Sequence, residues 1–105
     1  MSIELRGGGC YVSMHASSWD AIQKIAREYG WVPKYVKPPK KPGFFTGPRL
    51  TENSARALAT ALYRAIHEVE ADCLSKPLVK LVKEVQIANL RDVADMASVS
   101  GFWID

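Results

Sequence analysis

Two cysteines and two histidines stand in loose pairs, Cys10-x4-His15 and His67-x5-Cys73, and these are the side chains from which a metal site or a covalent nucleophile would be built. Zinc takes four nitrogen or sulfur ligands in a tetrahedron, from pairs more tightly spaced than these. The reading is therefore two free thiols and two surface imidazoles, with no metal and no cofactor. A nucleophile needs a base within hydrogen-bond reach. Cys10 and Ser13 are the candidates beside His15, yet in a strand neighbouring positions alternate between faces and same-face positions lie two residues apart. Gly7-Gly8-Gly9 is not followed by the Lys-Ser/Thr of a phosphate loop. The carboxylates are scattered, with no pair set in apolar surroundings that would separate their pKa values. No catalytic residue is expected, and the chain reads as a protein that is not an enzyme.

The unusual chemistry is concentrated elsewhere. From Pro33 to Arg49 the sequence reads PKYVKPPKKPGFFTGPR, with five of the six prolines and five cations but no acid. Proline fixes φ and removes a donor, so neither a helix nor a central strand can run through such a stretch. Lys34, Lys37, Lys40, Lys41 and Arg49 form a cation cluster interleaved with Tyr35, Phe44 and Phe45. Three readings follow: a solvated connection, a protein-recognition segment anchored by the aromatics, or a nucleic-acid contact in which cations meet phosphate and rings stack on bases.

Around this segment, regular elements are legible. Ile3-Glu4-Leu5-Arg6 and Cys10 to Met14 alternate, and the three glycines between them allow a hairpin turn. Ser17, with Asp20 three residues on, predicts the N-cap of a helix carrying Trp19, Ile22, Ile25, Ala26 and Tyr29 on one face, stopped by Gly30. Thr51 predicts the cap of a longer helix whose stripe is Ala55, Leu58, Ala59, Leu62, Ala65, Ile66 and Val69. Pro77 suits the first turn of a helix to about Val85, with a strand over 85–87 as the alternative. Asn89 predicts the cap of a last short helix, and Phe102-Trp103-Ile104 a closing strand. Trp19, Tyr29, Trp31, Phe102 and Trp103 are expected in the core.

Several of these landmarks together resemble a set of small uncharacterised bacterial proteins. Trp19, Ile22, Ala26 and Tyr29-Gly30-Trp31-x-Pro33 are similar to the family's W…LA..YGW.P signature. Leu50-Thr51, Ala55, Leu58-Ala59 and Ala61-Leu62 are similar to its VT..DA..LA.AL helix, with Ser54 in place of the usual Asp. Leu90 to Ile104 resembles its closing helix and GGF.I strand. The resemblance implies a fold and no activity.

Length and charge bound the remainder. At 105 residues one domain is expected over 1–105, with a Pro/Lys-rich loop at about 33–49. Nothing approaches the roughly 20 apolar residues of a membrane span, and the start lacks a signal-peptide core, so a cytoplasmic location without membrane contact is the expectation. Residues 1–50 carry eight Lys/Arg against three Asp/Glu, and residues 51–105 six against eight. Such polarity favours an acidic partner for the first half, or self-association as a homo-oligomer. The expected fold is α+β: a small antiparallel sheet, from the N-terminal hairpin and the C-terminal strand, packed against two main amphipathic helices and one or two shorter ones. The expected function is a non-enzymatic protein-binding module, an inhibitor or adaptor such as a phage directs at a host complex. The alternative is a nucleic-acid-binding module using the 34–49 loop.

Overall fold

Alternation in the first fifteen residues produces a hairpin, and the rest of the sheet is assembled on it from distant parts of the chain. The structure, a computed structural model, describes residues 2–7, 9–36, 49–85 and 87–104. Strand β1 (Ser2–Gly7) pairs antiparallel with β2 (Cys10–His15), Leu5 opposite Val12 and Arg6 opposite Tyr11. After helix α1 (Ala16–Glu28), two short strands, β3 (Tyr35–Val36) and β4 (Arg49–Leu50), pair with each other. Helices α2 (Glu52–Glu70), α3 (Lys76–Glu84) and α4 (Ile87–Val99) follow, and β5 (Trp103–Ile104) ends the described chain. The sheet order is β2-β1-β5-β4-β3, antiparallel throughout, so the last strand lies at its centre.

Two glycines make that insertion possible. A Cβ on Gly7 would stand 2.5 Å from the Gly101 carbonyl oxygen, and one on Gly101 would stand 2.3 Å from the Leu50 carbonyl oxygen. Only bare backbone can pass so closely, so Phe102 enters between β1 and β4. There it is fully buried, and its ring meets that of Trp19 edge-on at 6.0 Å.

The α+β fold agrees with the sequence reading, and Trp19, Ile22, Ile25, Leu58, Leu62, Ile66 and Phe102 share one core. Tyr29 and Trp103 are only half-buried. Helix α1 and helix α4 touch the hairpin, while α2 packs chiefly on α4 and α3 on α1. The helix over 77–85 forms, and Val85 leaves it in extended conformation.

Three local expectations are corrected. The N-cap of α1 is His15, not Ser17: its Nδ1 accepts the Ser17 backbone N–H at 3.2 Å, so the helix starts directly from β2 and Asp20 lies beyond capping reach. Asn89 lies inside α4, which begins at Ile87. The 33–49 stretch is not loop from end to end, because Tyr35–Val36 and Arg49–Leu50 are strands, each lying in a gap its prolines leave free. Elsewhere the signals hold. Gly30 (φ +88) closes α1 in a Schellman turn, with its N–H on Arg27 O and that of Trp31 on Ala26 O. The Thr51 hydroxyl caps α2 through the Ser54 N–H at 3.2 Å.

Candidate functional site

A strand exposes alternate side chains on opposite faces, and directly opposed residues of an antiparallel pair share a face. Leu5, Val12, Met14 and Leu50 are buried on the helix side. Their neighbours must therefore project from the other face, where Arg6, Tyr11, Ser13 and His15 are exposed. Following the register across this open face gives one row: Tyr11 opposite Arg6, Arg6 opposite Trp103, and Trp103 opposite Arg49. Ring and guanidinium alternate over four adjacent strands.

The side chains along the row interact. The Arg6 guanidinium lies 5.2 Å from the Tyr11 ring centroid, and that of Arg49 lies 5.9 Å from the Trp103 ring centroid. Both separations are cation–π distances. Glu4 ties the first pair together, accepting the Tyr11 hydroxyl at 2.9 Å and the Arg6 guanidinium at 2.8 Å. The row is thus preorganised: the rings and cations hold one another, with Tyr11 still 54% exposed. At the β2 end Tyr11 borders a cleft shared with Asp92 and Asp95 of α4. Positive character therefore grows from Tyr11 toward Arg49.

Of the residues singled out from sequence, Arg49 belongs to this row. Lys34 is exposed just before β3, and its backbone is fixed: its N–H donates to Ser54 Oγ at 3.0 Å and its carbonyl accepts from the Thr51 N–H at 3.1 Å. Tyr35 pairs with Leu50 and therefore turns to the helix side, where its hydroxyl donates to Gln23 Oε1 at 3.2 Å. Lys37, Lys40, Lys41, Phe44 and Phe45 lie outside the described residues. In sequence they fall between β3 and β4.

Ser54 explains how the edge of the sheet is held. It is buried, donates from Oγ to the Val32 carbonyl at 3.3 Å, and receives the Trp31 indole N–H on its own carbonyl at 2.9 Å. The first turn of α2 thereby clamps residues 31–34 and sets the approach to β3.

The candidate metal and nucleophile residues are not gathered. Cys10 and Cys73 are exposed and are not joined in a disulfide. Cys10 lies on the alternation opposite to Ser13 and His15, and the His15 Nδ1 is engaged at the helix cap, 2.7 Å from Ser17 Oγ. Among the described residues no three of His, Cys, Asp and Glu are placed to hold one metal ion. Between α2 and α4 a shallow cleft of about 280 Å³ is bridged by Tyr63–Asp95 and Arg91–Glu70 contacts.

Arg6, Tyr11 and Trp103 were not singled out as site residues from the sequence. The period-two pattern of the hairpin places Arg6 and Tyr11 on its polar side, but no local signal pairs β5 with β1. Compared with known proteins, the chain matches no family model, and no curated protein or solved structure shows significant similarity to it.

Proposed function

We propose that this protein is a small non-enzymatic binding module that works by surface contact, and that its contact surface is the open face of the sheet. One observation carries the reading. Tyr11, Arg6, Trp103 and Arg49 come from four strands in three separate stretches of the sequence and meet in a single row. Tyrosine, tryptophan and arginine are the residue types that concentrate binding energy at macromolecular interfaces. Their mutual stacking lowers the entropy lost on docking.

Charge selects the sign of the partner. The first 50 residues carry the positive excess, and the segment between β3 and β4 adds Lys37, Lys40 and Lys41 without an acid. A negatively charged macromolecule fits this surface: an acidic protein, for which an inhibitor or adaptor role follows, or a nucleic acid. The test is cross-linking of the intact chain to its partner in the native host. Tyr11→Ala and Arg49→Glu should each remove the cross-linked species, whereas Tyr63→Ala on the helical side should leave it intact. The opposite pattern, loss with Tyr63→Ala alone, would move the interface to the helices.

A further inference from the structure

We infer that the partner taken by the open sheet face is single-stranded nucleic acid, an inference that rests on that face being the binding surface. Three features favour it. The row supplies what a nucleotide chain presents in repetition, a π-face and then a phosphate. Tyr11 and Trp103 lie two strands apart, about 10 Å, with Arg6 between them and Arg49 beyond. Bases stack on such rings and on guanidinium planes without regard to sequence.

The shape of the surface is the second feature. The major groove of a duplex admits a helix or a two-stranded ribbon. The row here spans four of the five strands of one sheet, so its centre cannot enter a groove. Splayed bases of a single strand can lie flat across it.

Charge gives the third, and also a direction. Among the described residues of this face the carboxylate of Glu4 pairs with Arg6 at 2.8 Å, and Arg49 adds a second cation. Arg49 marks one end of the row. At the other end stand Asp92 and Asp95. Phosphates are accordingly drawn to the β1–β4 part of the face, and Tyr11 supplies a ring at its rim.

The experiment is fluorescence anisotropy of the full-length chain with labelled twelve-nucleotide single-stranded DNA and RNA, and with the matching duplexes, at 50 mM and 200 mM salt. Single strands should bind more tightly than duplex, and more weakly at the higher salt. Tyr11→Ala should weaken single-strand binding at least 5-fold, the lower end of the range for one lost base stack. Arg49→Gln should flatten the salt dependence by about 0.7 in log–log slope. Both variants must melt as cooperatively as the parent. Tyr11→Leu, which keeps apolar bulk and loses the phenol, is the second variant should Tyr11→Ala unfold.

Equal or tighter binding of duplex would overturn the inference. So would single-strand binding that ignores Tyr11 and Arg49 and vanishes only when Lys37, Lys40 and Lys41 are replaced. If no oligonucleotide binds at 50 mM salt, the inference fails. The proposed face still stands in that case if a host protein cross-links to the parent and not to Tyr11→Ala. Should neither oligonucleotide nor face-dependent cross-link be found, both readings fail together.

Discussion

Ser54 is the residue on which the edge of the sheet depends. Its hydroxyl bridges the Lys34 N–H, which donates to it at 3.0 Å, and the Val32 carbonyl, which accepts from it at 3.3 Å. Ser54→Ala should therefore cost about 1–3 kcal/mol, two lost hydrogen bonds at about 0.5–1.5 kcal/mol each, measured by urea unfolding. Tyrosine phenols give a second prediction at this scale. Burial and the Glu68 carboxylate raise the Tyr29 pKa well above its ordinary 10.0, and the hydrogen bond to Asp95, with some burial, raises that of Tyr63. A pKa raised in the folded state means that the unfolded chain loses the proton first. The contribution is whole below pH 10 and is lost as pH rises further. Stability should be level between pH 7 and 9 and fall above 10, less steeply in Tyr29→Phe; an unchanged alkaline slope would contradict the Tyr29–Glu68 contact. Residue signals were legible where they are local, as with Thr51 and Gly30. They misled at Ser17, because His15, two residues earlier, accepts the Ser17 N–H and starts the helix sooner.

Elements fail or form according to what they bury. The stripe of α2 is fully covered at Leu58 and Leu62, so Leu62→Ala should cost about 2–5 kcal/mol; a loss under half a kilocalorie would contradict the assignment of that face. Strand β5 depends instead on close backbone approach. Gly101→Ala should destabilise more than Gly9→Ala, since the new methyl on residue 101 meets backbone whereas that on residue 9 meets open space and bears only the strain of φ +77. Comparable losses would show that β5 is not wedged against β4. Periodicity revealed the hairpin and helices α1, α2 and α4, because each pattern is contained in one stretch of chain, and it left α3 open to a strand alternative at its end. Strands β3 and β4 have two residues each, too few for a pattern, and their pairing spans a segment dense in proline. The candidate row was hidden for a related reason. Its members are separated by up to about a hundred positions, and only the central placement of β5 unites Arg6 with Trp103 and Arg49.

At the scale of the whole molecule the helices cover one face of the sheet, and among the described residues cations and rings stand on the other. Helix α2 bears on that face from a distance, since its first turn fixes residues 31–34 and thereby β3. No helix among the described residues is long and apolar enough to cross a membrane. The central claim is that the Tyr11–Arg6–Trp103–Arg49 row is the contact surface. Titration of the ¹⁵N-labelled full-length chain with a single-stranded oligonucleotide, followed by NMR, tests it most directly. The account predicts the largest shifts at the amides of Arg6, Tyr11 and Arg49 and at the Trp103 indole N–H, with α2 and α4 little changed. Saturable shifts confined to the exposed positions of α2 and α4, with those four signals unmoved, would contradict it.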